Sequence, residues 1–251
     1  MEYGFMKNNL IKSLMVILTV FGVIGCNSGS GINSDTPSNK GKNGANEALP
    51  LTVTDAIEGS DSTLSQELKD AITYMYSEEG LAYDVYMNIY KIQVVQQLQN
   101  IAQNAEIKHI EAVNGLERKY DLNITKYPDT DKPYSIEDMN RYGSGEYPVE
   151  PIQELYNLLY DKGIQSKQDA LEVGCMVEVV DIDDLDTYIG LAEASNAPDV
   201  LTVFNFLRDG SYSHYWAFDK GLKRMGINDG CCALGEEQCH PEYPKEEKGN
   251  K

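Results

Sequence analysis

Between Leu64 and Gly226 the apolar residues recur at steps of three and four, the spacing of one face of an α-helix. The pattern predicts four long helices. The first opens at Ser65, a favourable N-cap with Glu67 in the first turn. Its seam is Leu68, Ile72, Met75, Glu79, Ala82, Tyr86 and Ile89. The second begins near Val94, with the seam Leu98, Ala102, Glu106, His109, Val113, Leu116 and Tyr120. The third starts at Ser166, whose spacing to Asp169 resembles a capping box. It runs through Leu171, Cys175, Glu178, Ile182, Leu185, Ile189 and Ala192. The fourth starts near Pro198, ends before Gly226, and carries Val200, Phe204, Leu207, Ser211, His214, Phe218, Leu222 and Met225.

The stretch from Asp121 to Glu150, with Pro128, Pro133, Gly143, Gly145 and Pro148, is too long for a turn between neighbouring antiparallel helices. It suits a crossover that lets helices two and three run parallel. A short helix follows from Pro151 to about Lys162, ended by Gly163. No stretch reads as a strand, and the tail after Gly226 reads as irregular. The expected fold is all-α: a four-helix bundle over 63–226 with a long crossover between helices two and three.

Ahead of the bundle, Lys7 and Lys12 precede an apolar run from Leu14 to Gly25, too short to span a membrane comfortably. That reads as an export signal over 1–25. Its end, Val23-Ile24-Gly25-Cys26, resembles the bacterial lipoprotein box, with Val23 where leucine is usual. The resemblance implies lipidation at Cys26 and attachment to the bacterial envelope. No aspartate follows Cys26, which implies the outer membrane or cell surface. Residues 26–62, rich in Ser, Gly, Asn and Thr, read as a disordered polar linker.

Composition narrows the partners. With 21 basic and 40 acidic residues the net charge is −19, a surface that repels phosphate backbones and excludes nucleic acid as a partner. The 17 tyrosines outnumber the five phenylalanines and one tryptophan together, which suits a core containing polar groups. Each predicted helix has an ionisable residue midway along its apolar seam: Glu79, then Glu106 with His109, then Glu178, then His214. A buried polar group without a partner costs roughly 2–7 kcal/mol. Four such placements are tolerable only if the groups satisfy one another or share a cation. Glu106 and His109, three apart, face the same way and reach a common ion. Carboxylate and imidazole together suit iron, manganese or zinc. In di-iron bundles two helices give one Glu each and two give Glu-x-x-His. Iron, as a pair of ions, is the expected metal.

The segment Glu78-Glu79-Gly80-Leu81-Ala82-Tyr83-Asp84-Val85-Tyr86 resembles the first-helix motif of rubrerythrin-type proteins of the ferritin-like superfamily. More closely, the chain is similar to an uncharacterised family of ferritin-like domains of bacteria and archaea. The matching segments are this one, Asp169 to Gly174, Asp181 to Leu185, and Gly210 to His214, in order, within 64–226. The resemblance implies a ferritin-like fold and a metal site, but no established reaction. One departure stands out. The fourth helix reads Ser211-Tyr212-Ser213-His214 where Glu-x-x-His belongs. Asp181, three residues after Glu178, is the expected replacement carboxylate, ahead of Glu78 and Asp184. Asp183, Asp184 and Asp186 otherwise read as a solvated face. Tyr86 and Ser211 are expected as hydrogen-bond partners behind the ligands. The function expected is a metal-binding lipoprotein that reacts with oxygen or peroxide, as a non-haem di-iron oxidase or peroxidase if it is an enzyme. The alternative is a non-catalytic surface-displayed binding module with a structural metal or none. A homodimer fits an anchored protomer; a closed cage does not.

Cys175, Cys231, Cys232 and Cys239 remain. In an exported protein they predict two disulfides with three possible connectivities. One alternative is a zinc site from Cys231, Cys232, Cys239 and His240.

Overall fold

The structure is a computed structural model that describes residues 48–122, 124–126, 133–135, 144–147 and 150–245. The expected export signal, the expected lipidation position Cys26 and most of the expected linker lie outside the described residues. The described part is all-helical apart from one small hairpin. We label the helices α1 (Leu51–Glu58), α2 (Gln66–Tyr90), α3 (Gln96–Ile101), α4 (Ile107–Lys119), α5 (Glu150–Gly163), α6 (Lys167–Ala194) and α7 (Pro198–Arg224). A π-helical turn, Ala102–Glu106, joins α3 to α4. Two short antiparallel strands, β1 (Ile124–Lys126) and β2 (Pro133–Ser135), follow α4. Among the described residues no helix is long and apolar enough to cross a membrane.

The local signals act as their chemistry dictates. The Ser65 hydroxyl accepts from the Leu68 amide and caps α2. Ser166 caps α6 through the Asp169 amide at 3.0 Å, while its hydroxyl donates to the Asp169 carboxylate at 2.5 Å. Asn196 takes a left-handed conformation, φ 49°, in the short turn that ends α6, and Pro198 opens α7.

Two expectations need correction. Residues 51–58, placed in a disordered linker, form α1. Val53 is buried and Ile57, one turn on, packs so closely on Gly115 that a Cβ there would lie 2.7 Å from its Cδ1. The Ser- and Gly-rich composition around it hides that apolar pair. The stretch after α4, read as free of strands, contains the three-residue hairpin β1–β2.

Contacts fix the relative directions of the long helices. Gly174 meets Phe218, Asp181 meets Ser211 and Tyr188 meets Phe204, so α6 and α7 run antiparallel. Tyr74 meets Tyr188 and Tyr86 meets Glu178, so α2 and α6 are antiparallel as well. The end of α4 returns to the start of α2, where the Ser62 amide donates to the Tyr120 hydroxyl. Asp199, opening α7, binds this corner through Ser62, Tyr120 and Lys119, the last at 2.7 Å. The core between these helices contains Leu68, Ile72, Met75, Leu98, Leu116, Met176, Phe204 and Phe218, none of them measurably exposed.

One buried acid lies outside any such network. Glu117 on α4 is 1% exposed, and neither of its carboxylate oxygens has a hydrogen-bond partner. Burial, only partly opposed by Arg118, pushes its carboxyl from 4.5 up to about 8. The folded state therefore holds this proton more tightly than the unfolded chain. The associated stability is complete below about 4.5 and is lost as pH rises through about 8. Glu117→Gln keeps the volume and removes the charge. It is expected to raise unfolding free energy by about 2 kcal/mol at alkaline pH. At acid pH it should change little. Urea denaturation on either side of this window checks both halves.

Candidate metal centre

The centre sits where α2, the π turn, α4, α6 and α7 meet. Glu79 comes from α2, Glu106 from the last residue of the π turn, His109 from α4, Glu178 from α6 and His214 from α7. A π turn accommodates an extra residue in the helix and often marks functional sites. Here it ends on Glu106. All five residues are buried, none more than 6% exposed.

Their side chains form a continuous chain through Glu106. His109 Nδ1 lies 3.1 Å from Glu79 Oε2 and 3.2 Å from Glu106 Oε2. His214 Nδ1 lies 3.2 Å from Glu106 Oε1 and 3.3 Å from Glu178 Oε2. The two imidazoles stack with centroids 5.4 Å apart. Two groups of three result, Glu79–Glu106–His109 and Glu106–Glu178–His214. Within each, one ligand atom per residue lies within 4.8 Å of the others. The close approach of α7 depends on a missing side chain: a Cβ on Gly210 would stand 2.3 Å from His109 Nε2.

The supporting contacts are specific. The Tyr86 hydroxyl donates to Glu178 Oε1 at 2.5 Å, which fixes that carboxylate and makes Tyr86 more than packing. Ser211 donates to Asp181 Oδ2, so the serine that replaces the expected glutamate is paired with the aspartate expected to compensate for it. Asp181 belongs to neither group of three. It adjoins the centre, 5% exposed, with Oδ1 lacking a hydrogen-bond partner.

Electrostatics show how strained this set is on its own. Burial pushes Glu79 well above its ordinary range, and the charges of Asp181 and Glu106 push it further. Burial and Glu178 bring Asp181 up to about 7. Burial works against charge on His214, yet Glu178 and Glu106 raise it to about 10. Burial also opposes ionisation of Glu106, but His214 and His109 outweigh it and hold that carboxyl low. Two imidazolium ions thus offset only part of the acid present. Glu79 Oε1 has no hydrogen-bond partner, and Glu106 Oε1, though near His214, lies outside hydrogen-bond geometry. Unpaired inward-facing carboxylate oxygens beside imidazole nitrogens are the donor set of a hard-to-borderline divalent cation. The residues present fit a metal.

The other predicted positions divide. Cys175 is bonded to Cys231 and Cys232 to Cys239, which resolves the connectivity and overturns the zinc alternative, because the thiolates it requires are used. Asp186 is exposed and pairs with Arg208 at 2.5 Å, as a solvated face should. Asp184 departs from that reading: it is half-buried, burial and the charge of Asp183 bring its carboxyl up to about 7, and its charge acts on Glu78 of α2.

These features define a helical domain with a buried carboxylate–histidine cluster able to hold a metal ion. The chain belongs to the family described as "Uncharacterized protein domain (DUF2202)", whose model matches residues 68–240. It is 35% identical over 165 residues to the uncharacterized protein MJ0754 of Methanocaldococcus jannaschii, covering 66% of this chain and 80% of that one. The crystal structure of hypothetical protein MJ0754 from Methanococcus jannaschii is similar in fold, with a TM-score of 0.56 and 31% sequence identity. That match covers 67% of this chain and 86% of that one.

Proposed function

We propose that this chain is a lipid-anchored protein of the bacterial envelope whose ferritin-like four-helix bundle binds two iron ions. The observation that carries the metal reading is the division of Glu106. Its two oxygens face different histidines, each completed by a further glutamate, in an interior closed to water. Helix directions support the bundle. With α2 antiparallel to both α4 and α6, the last two run parallel, which calls for a long crossover such as the one between Asp121 and Glu150. Two disulfides, one tying the tail to α6 and one within the tail, favour an oxidising compartment and agree with export.

Bound iron would supply redox chemistry toward oxygen or peroxide. Glu79 and His109 would hold one ion, Glu178 and His214 the other, and Glu106 both. Tyr86 orients Glu178 and offers a hydroxyl proton at that carboxylate. Ser211 orients Asp181, whose other oxygen is buried without a partner and whose carboxyl is brought up to about 7 by burial and Glu178. The seam residues above and below, among them Ile182 and Leu207, exclude water.

Metal analysis of protein produced in iron-rich medium tests the reading. About two ions of iron per chain are expected. Less than about a tenth of an ion of any transition metal would leave an anchored helical binding module instead.

A further inference from the structure

Outside the centre, a small cleft between α2 and α5 is lined by Tyr74, Ser77, Glu78, Leu81, Ile152 and Leu155. Glu78 connects this cleft to the interior. Burial pushes its carboxyl up, and the charges of Asp184 and Asp181, across the α2–α6 interface, push it further. One turn along α6 from Asp184 stands Asp181, whose charge acts on both Glu78 and Glu79. The acids therefore step inward from Asp184 and Glu78, through Asp181, to Glu79 of the centre. Two oxygens in this series, Glu78 Oε2 and Asp181 Oδ1, are buried without a hydrogen-bond partner. Neither Glu78, Asp181 nor Asp184 belongs to a ligand group.

A purely structural pair fits these facts poorly. Carboxyls brought together away from water repel, and a glutamine or asparagine would fill the same space without that cost. A transit role uses the arrangement as it stands. The ligands of the centre are sealed from solvent, so an ion must be passed inward while it sheds water. Successive carboxylate oxygens replace lost waters one at a time, and an arriving cation displaces the protons that burial favours on these acids.

We propose that Asp184, Glu78 and Asp181 form the path by which a divalent cation travels from the α2–α5 cleft to the centre, with Glu78 and Asp184 as the outer holding point. The proposal rests on the metal reading above, and its test keeps the two apart. Metal-free full chain is mixed anaerobically with Co(II), whose visible absorption bands report binding, in a stopped-flow instrument. Glu78→Gln and Asp184→Asn are each expected to slow loading about tenfold or more. The final absorbance and the cobalt bound per chain should match the wild type. Asp186→Asn, which removes an exposed charge of the same helix outside the series, should leave the rate within about twofold.

Loading of Glu78→Gln and Asp184→Asn at wild-type speed overturns the path and leaves the metal centre standing. Equal slowing in Asp186→Asn also overturns it, because net charge alone then sets the rate. A reduced cobalt end point in the path variants makes these residues ligands, again against the proposal. A wild type that takes up no cobalt removes the metal reading itself, and the path with it. Thermal melting confirms that each variant is folded, and either path variant alone suffices if the other is not.

Discussion

Alanine at position 106 is expected to abolish both metal sites at once, whereas glutamine at position 79 should weaken only one. Glu106 is the only side chain shared by the two ligand groups, with Oε2 toward His109 and Oε1 toward His214. Its truncation leaves each group with one glutamate and one histidine, too few to hold an ion firmly. Altering the partners behind a metal ligand already costs about 10–100-fold in affinity, so loss of a shared ligand should exceed about a hundredfold at each site. Glu79→Gln leaves the Glu106–Glu178–His214 group intact. Metal analysis distinguishes the outcomes. The wild type should carry about two ions, Glu79→Gln about one, and Glu106→Ala almost none. A second measurement follows from linkage: metal at about a hundred times its dissociation constant stabilises the fold by about 2.7 kcal/mol. Added Fe(II) or Mn(II) should therefore raise the melting temperature of the wild type and leave that of Glu106→Ala unchanged. A full complement of metal on Glu106→Ala defeats the shared-ligand geometry.

The convergence of these side chains was legible because burying charge is costly. An acid or imidazole in the middle of an apolar seam has few explanations, and Glu79, Glu106, His109, Glu178 and His214 each occupy one. Helix ends were legible for a local reason: Ser65 and Ser166 satisfy amides a few residues away, so tertiary structure is not needed to place them. The π turn left only a trace. Leu98, Ala102 and Glu106 are separated by two successive steps of four, where a regular seam alternates four with three. The same two steps recur at His214, Phe218 and Leu222 in the regular α7, so only the helix itself shows that Glu106 closes a π turn. Asp184 and Glu78 were legible only as candidates behind Asp181, because neither lies on a seam. Their inward direction is set by the α2–α6 packing and by α5 above it, long-range facts with no periodic signature. For α1 the signal existed, as Val53 and Ile57 one turn apart, but a two-residue pattern is outweighed by the polar composition around it. Among the cysteines, spacing alone leaves three pairings open. What selects one is that Cys175 points from α6 at the turn following α7, a meeting the α6–α7 antiparallel packing creates.

Removal of the Cys175–Cys231 bridge should destabilise the protein more than removal of the Cys232–Cys239 bridge. A cross-link lowers the entropy of the unfolded chain in proportion to the logarithm of the loop it closes. The first bridge joins residues 56 apart and the second joins residues seven apart. On the chain-entropy model these loops correspond to about 4 and about 2.5 kcal/mol. Native contacts widen the difference. The Cys175–Cys231 bridge is buried and ties the tail to α6, one turn before Glu178. The other joins two neighbouring 3₁₀ turns that are already held to α7, where the Tyr215 hydroxyl donates to the Gln238 carbonyl and accepts from the His240 amide. Cys175→Ala with Cys231→Ala, and Cys232→Ala with Cys239→Ala, compared by guanidinium denaturation without reductant, should therefore rank in that order. In a strong reductant the wild type should fall below both paired variants measured without it, since it then loses both constraints. Equal losses in the two paired variants would show that loop closure is not what the long bridge contributes, and that its buried sulfur atoms stabilise the fold by packing alone.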